Sequence, residues 1–148
     1  MSLTAILQHS DLFQGLNESQ LAQIMNISQE RKYNQGDVVF AQDSEGDAMY
    51  VIAKGQVEIQ IKSESGKKRS AVYLGEGQVF GELALIDQGK RSASIVVIED
   101  GTIIYRILSE ALNQLCATDT AIGYLMMRNL AKDVSFKLRH QNRLVADL

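Results

Sequence analysis

Nine of the eleven glycines in this chain fall between positions 36 and 101, most of them about ten residues apart. Glycine has no Cβ to clash at positive φ, so a ladder of this kind marks tight turns. The intervals hold β-branched and aromatic runs: Val38–Phe40, Tyr50–Ile52, Val57–Ile61, Ala71–Leu74, Ile95–Ile98 and Thr102–Ile107. From Val57 to Lys62 apolar and polar residues alternate strictly, as in a strand with one buried face. Ser63–Gly66 then reads as its hairpin turn. Many short strands punctuated this way predict a closed barrel or a jelly roll.

The flanks follow a different period. Leu3, Ile6, Leu7, Leu21, Ile24 and Met25 recur at helical spacing, and Asn17 with Gln20 has the form of a capping box. After the β region, Ser109 is placed to cap a short helix running through Leu115. Thr118 or Asp119 can cap a second helix, which continues from Tyr124 without Gly or Pro. The expectation is one domain over residues 1–148, mainly β with flanking helices. Helices cover about 3–27, a jelly-roll (double-stranded β-helix) barrel about 28–108, and C-terminal helices about 109–145.

Composition removes several classes of function. Hydrophobic residues at 45% and charged residues at 22% are ordinary for a soluble globular chain. No apolar run approaches the roughly 18 residues of a membrane span, and Met1–Thr4 does not open a secretory signal. A single cysteine, Cys116, excludes an internal disulfide and fits a cytoplasmic location. His9 and His140 stand apart from Cys116 and from any carboxylate cluster, so no metal site is expected. Net charge is −3, which gives no electrostatic case for nucleic acid. The basic residues Arg128, Lys132, Lys137, Arg139 and Arg143 have helical spacing and read as a solvated helix face.

The segment richest in chemistry is Phe80–Ile86, followed by Asp87–Lys90 and Arg91–Ser94. Gly81 lets backbone approach a ligand closely. Leu83–Ile86 can make one helical turn with its first amides facing out, which suits an anion. Arg91 adds a planar donor fork that matches phosphate oxygens. Glu82 accepts only, so it should face a hydroxyl and not the phosphate. No nucleophile or acid–base partner accompanies these residues, so no catalytic residues are expected.

This block resembles the phosphate-binding cassette of cyclic nucleotide-binding domains, found in regulatory subunits of cAMP-dependent protein kinase and in the bacterial catabolite activator. Leu12–Leu16, Gly36–Phe40, Gly46–Ile52 and Lys54–Glu58 resemble the family's turn and strand pattern, so the likeness runs from about residue 12 to about residue 140. The resemblance implies cAMP or cGMP as ligand, without a further cofactor. It implies that Glu82 accepts from the ribose 2′-hydroxyl, assisted by the Gly81 backbone, and that Arg91 clamps the cyclic phosphate. Amides near Leu83 and Ala84, and those of Ser92 and Ala93, complete the anion site. It further implies a regulatory module whose C-terminal helices move on ligand binding, acting on an effector protein that the sequence does not identify.

This chain departs from the family in places. Gly89-Lys90 stands where the family often has proline before the arginine, and Lys137 and Leu138 stand where the long helix elsewhere supplies hydroxyls to adenine. Ser92 occurs with either purine, so the choice between cAMP and cGMP stays open. Two other readings are the sensor half of a catabolite-activator-type transcription regulator, whose helix-turn-helix would begin near Leu148, and an interaction scaffold without nucleotide. Leu130, Val134, Leu144 and Leu148 have a/d-like spacing, with Lys137 and Gln141 at intervening positions. That stripe can pack on the barrel as a lid or pair with its twofold mate, and a homodimer paired through the C-terminal helix is expected.

Overall fold

Residues 2–146 are described by the computed structural model, apart from the side chains of Ala71 and of residues 141–146. Helices α1 (Leu3–His9) and α2 (Glu18–Asn26) precede eight strands, and α3 (Ser109–Thr118) and α4 (Thr120–Ala146) follow them. The strands are β1 (Ser28–Tyr33), β2 (Val38–Phe40), β3 (Ala48–Lys54), β4 (Val57–Lys62), β5 (Lys68–Leu74), β6 (Val79–Phe80), β7 (Ser94–Val97) and β8 (Thr102–Leu108). They form two four-stranded antiparallel sheets, ordered β1-β8-β3-β6 and β2-β7-β4-β5. The β region is thus a jelly roll of two sheets, the second of the two forms expected, and not a closed hydrogen-bonded cylinder.

All six runs between the glycines lie in strands, apart from Ile98 at the end of one of them. Strands β1 and β6 escape sequence reading for different reasons. The β1 sequence, Ser-Gln-Glu-Arg-Lys-Tyr, is polar and exposed along most of its length, and it lies at a sheet edge. β6 has only two residues. At Gly55, φ is +92° and a Cβ would stand 2.1 Å from Thr102 Oγ1, so the β3–β4 turn requires glycine.

β3 is buried on both faces. Met49 and Val51 pack with Ile107 against Ile6, Leu7, Leu21, Ile24, Leu112 and Met126 of the helical layer. Ala48, Tyr50 and Ile52 face the interior of the roll with Phe80, Ile95, Val97 and Ile104. That explains why this strand is nearly continuous in apolar residues while β4 alternates.

The helix ends confirm some expected caps and correct others. Asn17 Oδ1 accepts from the Gln20 amide at 2.9 Å, and Gln20 Oε1 accepts from the Asn17 amide at 2.9 Å, the reciprocal box foreseen. Asp119 accepts from the Ile122 amide at 3.3 Å and so caps α4, whereas Thr118 donates back to the carbonyls of Gln114 and Leu115. Ser109 is not a cap. It is the first residue of α3, its amide donates to the Asp47 carbonyl at 2.9 Å, and its hydroxyl is buried without a partner. α4 begins ahead of Gly123 because that residue's missing Cβ admits the Cys116 carbonyl, 2.8 Å from where a Cβ would lie.

The stripe expected to pair two long helices is divided, with Val134 exposed and Leu130 packed on its own chain. Leu130 is fully buried in the core of its own chain, and Lys137 points at the β6–β7 segment. Gln141, Leu144 and Leu148 lie outside the described side chains. Among the described residues, the large apolar side chains that α4 exposes are Tyr124, Met127, Val134, Phe136 and Leu138. No helix among the described residues is long and apolar enough to cross a membrane.

Asn17→Ala should lower unfolding stability by about 1 kcal/mol, whereas Asn17→Ser should retain most of it. Urea denaturation of the two variants beside the parent checks this.

Candidate functional site

Strand β6 delivers the chain to Gly81, whose φ of +72° caps a 3-10 turn over Glu82–Leu85. The turn expected at Leu83–Ile86 forms one residue earlier, with Ile86 as its C-cap. Its Ala84 amide donates to the Gly81 carbonyl at 3.2 Å, and the Ile86 amide to that of Leu83 at 3.1 Å. Ala84 and Leu85 are buried beneath it, while Leu83 and Ile86 are exposed. The loop after the turn is clipped to residues 43–46. The Arg91 amide donates to the Ser44 carbonyl at 2.7 Å, Asp43 N–H to the Arg91 carbonyl at 2.8 Å, and Gly46 N–H to the Gly89 carbonyl at 3.0 Å. Asp43 sits at φ +71°, a left-handed conformation that Asp tolerates better than most residues. Ser92 is exposed, and Ala93 is buried where β7 is about to begin.

Arg91 is the centre of this arrangement. It is only 7% exposed. One terminal nitrogen, Nη2, donates to the Ala48 carbonyl at 2.6 Å, and Nη1 donates to the Gly81 carbonyl at 3.3 Å. The guanidinium carbon lies 4.0 Å from the centroid of the Phe40 ring and 5.9 Å from that of Tyr50. Phe40, Tyr50 and Phe80 form one aromatic group, with Tyr50 stacked on Phe80 at 5.1 Å. Nε is buried without a hydrogen-bond partner.

No carboxylate pairs with Arg91 among the described residues. The two acidic side chains that influence it are engaged by other cations. Asp47 meets Arg106 at 3.4 Å, and Glu82 meets Lys137 of α4 at 3.1 Å. Desolvation therefore dominates, and burial pushes the Arg91 pKa down while Tyr50 and Asp47 pull it up. A buried cation carries a desolvation cost that a nearby anion offsets. No side chain among the described residues supplies that anion to Arg91.

Gly81, Glu82, Leu83, Ala84 and Arg91 therefore come together, Ser92 and Ala93 adjoin them, and Glu82 and Arg91 do not pair with each other. Four features went unread in the sequence. Phe40 and Tyr50 appeared only as strand residues, since nothing local distinguishes an aromatic that supports a guanidinium from one that fills a core. Gly46 appeared only as a turn, yet a Cβ there would stand 3.4 Å from the Arg91 guanidinium carbon. The Lys137–Glu82 contact spans 55 residues and leaves no short-range signal.

Residues 30–119 match the family described as the cyclic nucleotide-binding domain. The chain belongs to the cyclic nucleotide-binding domain family. Within it, the chain is 38% identical over 95 residues to the cyclic AMP receptor protein of Thermus thermophilus, covering 64% of this chain and 44% of that one. It is 30% identical over 143 residues to a CRP-like cAMP-activated global transcriptional regulator of Mycobacterium tuberculosis, covering 97% and 62%. The crystal structure of Thermus thermophilus catabolite activator protein superposes with a TM-score of 0.83 at 33% identity, over 93% of this chain and 62% of that one. The chain thus spans less than two thirds of these regulators.

Gly81→Ala should be costly at this position. The new Cβ would stand 2.7 Å from Arg91 Nη1, on a backbone that side chains rarely adopt. Strain of this kind costs on the order of 1–3 kcal/mol, and urea unfolding of Gly81→Ala should show a loss in that range.

Proposed function

We propose that this domain senses cAMP or cGMP through the segment from Gly81 to Ala93. The observation that carries the reading is the buried Arg91 guanidinium, held by carbonyls and an aromatic ring with no carboxylate partner. A guanidinium has five N–H donors, and the two carbonyls take two of them, leaving capacity for phosphate oxygens. In this reading Arg91 binds the cyclic phosphate and Glu82 accepts from the ribose 2′-hydroxyl. The amides of Leu83, Ser92 and Ala93 add donors around the anion, that of Ala84 being engaged with the Gly81 carbonyl within the turn, and Gly81 gives the ligand close access to the backbone. No further cofactor is required. In this reading the site binds and does not transform, because among the described residues neither Glu82 nor Arg91 hydrogen-bonds to a hydroxyl or thiol that it could activate.

Occupancy would be reported through α4, which touches the site by Lys137. A ligand shifts such an element only by binding one conformer more tightly than another. The natural setting is a cytoplasmic regulator, and an effector protein would receive the output. The similarity to transcription regulators along nearly the whole chain favours the sensor domain of such a regulator, with any contact to DNA made elsewhere than in this domain.

Homodimerisation belongs to the same reading, through a seam different from the one the sequence predicts. Tyr124, Met127, Val134 and Leu138 are exposed at intervals of three, seven and four residues, as in a heptad seam. Sedimentation at micromolar concentration should give a dimer for the parent and a monomer for Val134→Glu. A monomeric parent, with and without nucleotide, rejects the dimer.

Calorimetry on nucleotide-stripped protein tests the ligand. The parent should bind cAMP or cGMP, and Arg91→Ala should lose roughly 2–5 kcal/mol of binding free energy, with tenfold in affinity for about each 1.4 kcal/mol. Arg91→Lys should also bind poorly, because an ammonium lacks the planar fork. Equal affinity in parent and Arg91→Ala would remove Arg91 from the site.

A further inference from the structure

We infer that Lys137 is an internal competitor for the ligand's ribose, tethering α4 to the β6–β7 segment through Glu82 until a nucleotide displaces it. The inference rests on the nucleotide reading above and adds a residue on a distant helix to it.

Three observations carry it. Lys137 Nζ lies 3.1 Å from Glu82 Oε1, across 55 residues of chain, so the ion pair joins α4 to the segment that holds Arg91. The Glu82 side chain is only 14% exposed. Little of it is open to a newcomer while the Lys137 ammonium stands beside it. The same ammonium also lies 3.0 Å from Asp133 Oδ2, one turn back on its own helix.

That second carboxylate makes the tether reversible. An acid four residues N-terminal to a lysine is the favourable order for such a helix pair. When a hydroxyl takes Glu82, Lys137 retains Asp133 and is not stranded without a counter-charge. Burial alone would lower the Lys137 pKa. The hydrogen bond to Asp133 and the charge and hydrogen bond of Glu82 outweigh it and raise the pKa, so Lys137 is charged at any physiological pH. The cost of displacing it is then built into every binding event that uses Glu82. By linkage, the same interaction makes bound nucleotide loosen α4 from the segment.

The consequence is counter-intuitive for a lysine beside a phosphate-binding segment, because its removal tightens binding. Lys137→Met keeps the length and apolar stem of the side chain but cannot pair with Glu82. Calorimetry with cAMP and with cGMP on the stripped parent and Lys137→Met should show roughly two- to five-fold tighter binding by the variant, the worth of a partly exposed ion pair. With 2′-deoxy-cAMP or 2′-deoxy-cGMP the gain should vanish, because a ligand without the hydroxyl does not compete for Glu82. Lys137→Arg should bind as the parent does. Hydrogen exchange of residues 132–140 should be faster in ligand-free Lys137→Met than in the ligand-free parent. Weaker or unchanged binding by Lys137→Met, in a parent that binds, overturns the tether and leaves the nucleotide reading standing. The same holds if the gain persists with the deoxy ligands. Absence of binding in both proteins overturns both.

Discussion

The candidate site depends on one unpaired charge. Arg91 is buried, and the chain spends backbone and aromatic surface to hold it. Its guanidinium lies over Phe40, with the Ala48 and Gly81 carbonyls as hydrogen-bond acceptors. Gly46 leaves room for the Gly89 carbonyl, 3.2 Å from where its Cβ would lie, and Gly81 leaves room for the guanidinium, where a Cβ would stand 2.7 Å from Nη1. The acids near it are occupied by Arg106 and Lys137. An arginine in a protein's interior usually has a carboxylate beside it, since an uncompensated buried charge is costly. Burial without a paired acid is poor design for stability and good design for an anion that arrives from solution.

The rest of the fold serves that position. β3 supplies the Ala48 carbonyl and the Tyr50 ring, β2 supplies Phe40, and β6 brings Gly81 alongside. Residues 43–46 fasten the segment before β7 by three backbone hydrogen bonds. The jelly roll brings residues 40, 48, 81 and 91 together although they are spread over a long stretch of chain. α4 is held to the N-terminal region by Asn129, whose side chain donates to the Leu12 and Gln14 carbonyls at 2.9 Å each. The long helix is therefore fixed to the fold at Asn129, and about two turns further along it meets Glu82 through Lys137.

What the sequence made legible is what short-range physics encodes. The glycine ladder marks real turns and the Asn17–Gln20 box is present atom for atom, while the alternation of Val57–Lys62 marks a real strand that is buried only at its Val57 end, with Ile61 exposed. The cassette was legible because its residues are close in sequence. Gly81, Glu82 and Arg91 occupy one segment, and their chemistry points to an anion and a hydroxyl before any fold is known. What stayed hidden was settled across the chain. Whether Leu130 faces a partner or its own core depends on how α4 lies on the 3-10 turn at Asp11–Phe13 and on α3, which no heptad count reveals. Ser109 has the chemistry of a cap, but the Asp47 carbonyl claims its amide and α3 starts at that residue. β1 was invisible because an exposed edge strand carries no apolar period.

The strand β3 has a consequence beyond packing. Its alternate residues belong to two different cores, one shared with the helices and one inside the roll. A β-strand is stiff along its length, and both of its faces are filled here. Packing on one face of β3 is thus tied to packing on the other through a single strand. For a receptor this is an economical form of mechanical wiring. A disturbance at the Tyr50 ring is one peptide unit from Met49 and Val51, which touch the helices, so the roll and the helical bundle share a single backbone as their common wall.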